Sequence, residues 1–283
     1  MTGAAVIEIP AAVEVAPLIG ALAAHAVPGL EITDRDRRTH TRLIATSGGP
    51  ALTTIAFGDG HVSVQVERPD AADEVVETVR TWFDLDTDLG AVRDALGADS
   101  VVGPLIRARP SLRIPGSVDG FETAVLTVLG QQVSLAAART LAGRLVAGWG
   151  SLSEAGFSVF PTPAVLAAVD PEELRQRIGL TTARARTLFA LAGACAGGLR
   201  IDPSGDHATI RAELLALPGI GPWTVDYLAV RVLRDRDAYP AGDLVLQRAL
   251  GVNSARQAVE AAEGWRPWRA YGLFHLWTAA AYK

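Results

Sequence analysis

The sequence predicts an α+β amino-terminal domain, an antiparallel sheet with helices, followed by a mainly α-helical body. Strand-like segments occur only within the first hundred residues, helix start signals recur through the rest, and a Pro/Gly/Arg-rich stretch at 103–116 lies between them. The length of 283 residues allows two domains. We therefore place an α+β domain at 1–105 and an all-helical body at 106–283.

The amino-terminal segments alternate in type. A helix is predicted at 17–27, and strands are predicted at 41–47, 51–57 and 61–67, with Gly-rich turns between the strands. Val62, Val64 and Val66 alternate with polar residues, which is typical of a half-buried antiparallel strand. Two further helices, at 71–83 and 88–96, complete this domain.

Helical spacing dominates the body. Thr162 and Asp170 each precede a proline, the pattern of a helix N-cap followed by proline at the first helical position. No convincing strand is predicted after residue 116. The predicted helices of the body are 121–130, 133–149, 182–196, 206–216, 222–233, 243–250, 254–262 and 267–280.

The cysteine, lysine and histidine content excludes several chemistries. Cys195 is the single thiol, so an internal disulfide, a four-cysteine zinc site and a cysteine-held iron–sulfur cluster are excluded. Lys283 is the only lysine, so no interior amine can act as a nucleophile. The histidines share no ligand spacing, and we expect no catalytic metal.

The acidity of the chain is local. The net charge is −5, but residues 1–100 account for −9 and residues 101–283 carry +4, so a nucleic-acid partner is not excluded. The first residues carry Glu8 and Glu14 without a basic residue, and no apolar run reaches the roughly 18 to 20 residues of a membrane span. We expect a cytoplasmic monomer without a membrane partner.

The sharpest local signal is the segment Leu217-Pro218-Gly219-Ile220-Gly221, where one apolar helix ends and another begins at Pro222. Glycines in such a turn leave backbone amides uncovered beside the positive end of the next helix, where a phosphate can bind. The same residues also fit a tight helix–helix corner in an ordinary bundle. Sequence spacing alone leaves both interpretations open.

The motifs resemble those of a known family. Residues 217–221 resemble the helix-hairpin-helix of the DNA-glycosylase superfamily, here placed at 207–234, and Pro240-Ala241-Gly242-Asp243 resembles its Gly/Pro-rich loop ending in aspartate. Residues 130–134 and 268–277 are similar to the AlkA-type 3-methyladenine DNA glycosylase II. The four motifs occur in the family's order across nearly the whole chain. The resemblance therefore implies a helix-hairpin-helix glycosylase body after an α+β domain.

The resemblance implies that Asp243 is the catalytic carboxylate, although an aspartate before an apolar helical run is by itself most often an N-cap. It also implies a base pocket lined by Trp223, Tyr227 and Trp277, whose spacing on helices equally fits a core stripe. Ala21 and Leu244 replace aromatic residues of the family, which predicts a roomier pocket. The DNA-binding residues implied are Gly219, Ile220, Gly221 and Thr224 at the hairpin and Gln132 as the wedge that fills the hole left by the base.

The resemblance and the single lysine together predict the reaction. Relatives that also cut the strand carry a lysine where this chain has Trp223, so we expect hydrolysis that leaves an abasic site. A cationic alkylated purine is a good leaving group, so one carboxylate suffices. The expected partner is duplex DNA with alkylated bases, and no cofactor is expected beyond a monovalent cation at the hairpin. A non-catalytic DNA-binding or damage-sensing protein is the alternative, and a helical protein without a DNA partner is a third.

Overall fold

The computed structural model describes residues 3–281 and has the predicted α+β class with a helical body after it. The amino-terminal elements are β1 (Ala5–Pro10), α1 (Val15–His25), β2 (Glu31–Asp34), β3 (Thr39–Ile44), β4 (Ala51–Phe57), β5 (His61–Val66), α2 (Ala72–Trp82), α3 (Leu89–Leu96) and α4 (Gly103–Ala108). The body begins with α5 (Gly120–Gly130), α6 (Leu135–Trp149), β6 (Ser151–Leu152), β7 (Ser158–Val159), α7 (Pro163–Ala167), α8 (Pro171–Ile178) and α9 (Thr182–Ala196). It ends with α10 (His207–Leu215), α11 (Pro222–Arg231), α12 (Leu244–Leu250), α13 (Ala255–Ala261) and α14 (Arg269–Ala281).

The five strands of the amino-terminal sheet follow the order β1-β5-β4-β3-β2, and every neighbouring pair is antiparallel. The predicted alternation in β5 is confirmed, because Val62, Val64 and Val66 are all fully buried. Their side chains pack with Val75 and Val79 of α2 in one hydrophobic core. The sheet therefore lies with one face against α2, as period-two burial requires.

A second hydrophobic core fills the helical body, and α3 and α4 pack into it through Leu96 and Ile106. Thr162 and Asp170 cap α7 and α8 as predicted, since their side chains accept hydrogen bonds from Val165 N at 3.3 Å and Glu172 N at 2.8 Å. The first core reaches Leu85, upstream of α3. The division of the chain at residues 105 and 106 stays a prediction of the sequence.

Three local predictions were wrong. Strands β1 and β2 were not predicted, and the stretch taken as a Pro/Gly/Arg-rich connection contains α4. The body is not free of strands, because β6 and β7 form a two-stranded antiparallel ribbon. Strands β2, β6 and β7 have four residues or fewer, too few to show a period, and β1 pairs with β5, which lies more than fifty residues away.

A buried ionic network joins the sheet to the body. The guanidinium of Arg42 on β3 donates to both carboxylate oxygens of Glu122 on α5, at 3.0 and 2.7 Å, and to Glu31 at 3.1 Å. The side chains of Arg42 and Glu122 are only 5% and 8% exposed. Burial opposes ionisation of Glu31, but the imidazole of His40 and the charge of Arg42 outweigh it, so the pKa of Glu31 lies below its usual range.

His275 on α14 is 3% exposed, and we expect its protonation to lower the free energy of unfolding in acid. Burial, and then the charge of Arg109, lower the pKa of His275 to about 4. The unfolded chain therefore binds a proton at this residue between roughly pH 6.5 and pH 4 while the folded chain does not, which costs about 2 to 3 kcal/mol of stability across that range. Urea unfolding at pH 7 and pH 4.5 should show a smaller acid loss for His275→Gln than for the wild type. An equal loss of stability in acid for the wild type and His275→Gln would contradict the assignment of this pH dependence to His275.

Candidate active site

The turn between α10 and α11 has the backbone that its glycines suggest. Gly219 has φ +80°, which favours glycine, and a Cβ at this position would overlap Oγ1 of the buried Thr187. Gly221 caps α11 in ordinary extended geometry, with φ −103° and open space where a Cβ would lie. Within residues 3–281 the N–H groups of these two glycines donate to no protein acceptor. The turn therefore presents free amide donors beside the start of a helix.

Gln131 attaches the α5–α6 turn to this hairpin. Its Nε2 donates to the carbonyl of Gly219 at 3.3 Å and to Oγ1 of Thr224 at 3.2 Å. Ile220 and Thr224 are 4% and 3% exposed as whole residues, so their side chains offer little surface to a DNA strand. The predicted wedge, Gln132, is exposed and adopts φ +55°, a conformation that costs energy outside glycine.

Asp243 caps α12, as the N-cap interpretation predicts. Its Oδ1 accepts from Leu246 N at 2.8 Å, and its own N–H donates to the carbonyl of Pro240 at 2.8 Å. The Pro240–Gly242 loop and the helix start thus fix the carboxylate at one place. An N-cap uses one lone pair of one oxygen, so the cap does not exclude a second role for the carboxylate.

The two indoles of the predicted pocket hold the carboxylate of Asp243. Trp223 Nε1 on α11 donates to Oδ2 at 3.1 Å, and Trp277 Nε1 on α14 donates to Oδ1 at 3.0 Å. Sequence reasoning assigned these rings to stacking and missed both hydrogen bonds. Each carboxylate oxygen is thereby oriented by an N–H donor from a different helix, which fixes the plane of the carboxylate.

Trp223, Tyr227 and Trp277 form one group of rings, which we call the aromatic wall. The Trp223 and Tyr227 rings are stacked, with centroids 5.2 Å apart and planes 14° apart, and Tyr227 lies 6.2 Å from Trp277. Trp223 remains 36% exposed and Leu244, beside Asp243, is 64% exposed. The wall and the carboxylate therefore face solvent on one side rather than filling the core.

Two other aspartates near the hairpin are bound by arginines. Asp226 forms an ion pair with Arg211, while burial raises the pKa of Asp226 above its usual range. The carboxylate of Asp237 accepts from Arg269 at 2.7 and 2.9 Å and also from Arg266. Among these carboxylates only Asp243 has the indole donors.

Two features bear on a bound ion. In residues 3–281 no group of three or more His, Cys, Asp or Glu side chains is placed to hold a metal. The predicted monovalent cation would use hairpin carbonyls, of which Leu217 O accepts from Ile220 N at 3.2 Å and Gly219 O accepts from Gln131. Each carbonyl keeps a second lone pair, so the cation stays a prediction.

The hairpin can be tested by a matched pair of glycine variants. Gly219→Ala should lower the free energy of unfolding by about 2 kcal/mol, because the new Cβ meets Thr187 at a backbone angle unfavourable for alanine. Gly221→Ala should change it by less than about 0.5 kcal/mol, since nothing lies within 4 Å of the added Cβ. Urea unfolding of both variants gives the comparison, and equal destabilisation would contradict this geometry.

Comparisons with known proteins identify the family to which the sequence is similar. The family described as the AlkA N-terminal domain matches residues 11–119, and the HhH-GPD superfamily base excision DNA repair protein family matches residues 125–261. The DNA-3-methyladenine glycosylase 2 of Escherichia coli K12 is 35% identical over 266 residues, covering 92% of each chain. In the part of the chain that is described, no helix is long and apolar enough to cross a membrane.

Two further relatives define the extent of the likeness. The probable bifunctional transcriptional activator/DNA repair enzyme AlkA of Mycobacterium tuberculosis H37Rv is 40% identical over 272 residues, which cover 92% of this chain but 54% of that protein, so the chain spans about half the length of that relative. The structure of a 3-methyladenine DNA glycosylase from Archaeoglobus fulgidus superposes with a TM-score of 0.84 at 21% identity, covering 98% of each chain. The chain belongs to the DNA-3-methyladenine glycosylase 2 family, within the HhH-GPD superfamily of base excision DNA repair proteins.

Proposed function

We propose that this chain removes alkylated, positively charged purine bases such as 3-methyladenine from duplex DNA. In this proposal it hydrolyses the N-glycosidic bond and leaves an abasic site. The relatives of similar length carry the name DNA-3-methyladenine glycosylase, which supports this substrate class. The single observation that carries the proposal is the carboxylate of Asp243, held between Trp223 and Trp277 beside the aromatic wall.

The chemistry follows from the charge of the base. When the bond between C1′ and the base nitrogen breaks, the base takes the electron pair and leaves neutral, while the sugar becomes an oxocarbenium-like cation. The ionised carboxylate of Asp243 would stabilise that cation, an electrostatic effect worth about 3 to 4 kcal/mol. Water then adds to C1′ and releases its proton to the carboxylate or to solvent. A cationic base would also be attracted to the ring faces of the wall.

The hairpin and the α5–α6 turn would bind the DNA. The free N–H groups of Gly219 and Gly221 suit a phosphate, and Gln131 keeps the turn bearing Gln132 against the hairpin. Gln132 is exposed at that turn, where it can enter the duplex as the base leaves the stack. Binding and base removal would then use adjacent parts of one surface.

Strand cleavage through a Schiff base is not part of the proposal. The only lysine, Lys283, lies outside the described residues, and Trp223 occupies the hairpin position where strand-cutting relatives are expected to carry lysine. The site therefore offers a carboxylate and ring donors but no interior amine. Water is the nucleophile that remains.

Incubation of the chain with methylated duplex DNA tests the function directly. Chromatography should identify free 3-methyladenine, the DNA strand should stay intact until alkali cleaves the abasic site, and borohydride should trap no covalent complex. A trapped adduct would overturn the hydrolytic mechanism. DNA binding without release of any base would support the non-catalytic alternative.

A further inference from the structure

Arg231 lies next to the aromatic wall, at the last position of α11 and four residues after Tyr227. Its Nη1 donates to the hydroxyl oxygen of Tyr227 at 2.9 Å, and its Cζ lies 5.5 Å from the Tyr227 ring centroid and 5.9 Å from that of Phe274. Its other hydrogen bond is a long one, from Nη2 to the carbonyl of Gly116 at 3.4 Å. The guanidinium is therefore attached to the side of Tyr227 that carries the hydroxyl.

The charge of Arg231 has no counterion in the part of the chain that the structure describes. Among residues 3–281 no carboxylate oxygen lies within 4 Å of its nitrogens, and its Nε is buried without a hydrogen-bond partner. Arg211 and Arg269, which also contact α11 or the loop after it, are each paired with an aspartate. An unpaired cation beside rings that would attract a cationic base opposes the binding of that base.

The direction of the hydrogen bond leaves the Tyr227 proton free. A guanidinium only donates, so the tyrosine oxygen is the acceptor and its own O–H is available to another acceptor. No acceptor for that proton exists within the described part of the chain. The adjacent positive charge makes the O–H a stronger donor than an ordinary phenol. Tyr227 is thus a polarised hydrogen-bond donor within the aromatic wall.

We propose, granted the function proposed above, that Tyr227 donates this hydrogen bond to a departing uncharged purine and that Arg231 is the positioning residue that polarises it. An uncharged purine leaves with the electron pair of the C1′–N bond and so carries developing negative charge, which an O–H donor stabilises. A cationic purine leaves neutral and gains nothing from the donor. Arg231 therefore narrows the difference between the removal rates of charged and uncharged bases.

Single-turnover excision from two duplexes tests the pair, one carrying 7-methylguanine, which is charged, and the other hypoxanthine, which is uncharged. Arg231→Gln keeps an amide donor but removes the charge, so the ratio of charged to uncharged base removal should rise about tenfold. Tyr227→Phe should slow hypoxanthine removal about tenfold and slow 7-methylguanine removal less than about threefold. Because each ratio is measured on one sample, a smaller folded fraction cancels.

Arg211→Gln is the matched control, because it removes an arginine that contacts α11 through Asp226 rather than through the wall. It should leave the ratio unchanged. Equal slowing of both substrates in Arg231→Gln would assign Arg231 a structural role and overturn the proposal, as would a wild type that releases 7-methylguanine but no hypoxanthine. A wild type that releases neither base contradicts the proposed function itself.

Discussion

Asp243→Asn should lower the single-turnover rate of 3-methyladenine release at least a hundredfold, about 3 kcal/mol or more. The asparagine can still cap α12 through its side-chain oxygen, but it carries no charge to stabilise the sugar cation. Its amide nitrogen also faces one of the two indole N–H donors, which loses its acceptor. Binding to abasic duplex DNA should stay within about tenfold of the wild type.

The control for this variant is Asp226→Asn. Asp226 is a half-buried carboxylate on α11, but it pairs with Arg211 and does not contact the indoles. Base release by Asp226→Asn should stay within about threefold of the wild type once the folded fraction is corrected. Activity of Asp243→Asn close to that of the wild type would remove Asp243 from the mechanism.

Glu122→Gln should cost about 3 kcal/mol of stability, the largest loss we expect from a single polar substitution in this chain. Arg42 would keep Glu31 as a partner and one bond to the amide oxygen of the new glutamine, but the second bond would be replaced by an NH2 group that faces the guanidinium, and a neutral amide cannot balance a buried charge. Urea unfolding at pH 7 measures the loss.

A double variant distinguishes the effect of an unbalanced charge from the effect of lost packing at the Arg42–Glu122 pair. Arg42→Met combined with Glu122→Leu removes the charges of both partners and should be more stable than Glu122→Gln alone, because the guanidinium is no longer buried without Glu122 and Glu31 keeps its hydrogen bond from Val27 N. A double variant as unstable as Glu122→Gln, or a single variant with wild-type stability, would contradict the role given to this network.

The sequence indicated the elements whose burial has a clear period. The alternation of Val62, Val64 and Val66 predicted β5, and the Pro-preceding caps Thr162 and Asp170 predicted α7 and α8. Strand β1 was missed because its partner is β5, which lies more than fifty residues away, so pairing rather than composition makes it a strand. Strand β2 is four residues long and offers too few positions for a period.

At the site, too, local features were predictable from the sequence and contacts between distant segments were not. The place of Asp243 before an apolar helical run predicted its N-cap, and four-residue spacing predicted that Trp223 and Tyr227 share a helix face, whereas the resemblance alone grouped Trp277 with them. The indole hydrogen bonds could not be predicted, since they join α11 and α14 to a loop between them. Trp223, Tyr227 and Arg231 are spaced four residues apart, and this spacing could have predicted that Arg231 lies on the same helix face as the two rings.

The most direct test of the role of Asp243 is the affinity for two abasic duplexes. One duplex carries a cationic pyrrolidine in place of the sugar, and the other carries a neutral tetrahydrofuran. A carboxylate placed to stabilise a sugar cation should make the wild type bind the cationic duplex at least about tenfold more tightly, and Asp243→Asn should lose that preference. Equal affinity of the wild type for both duplexes would contradict the catalytic assignment of Asp243.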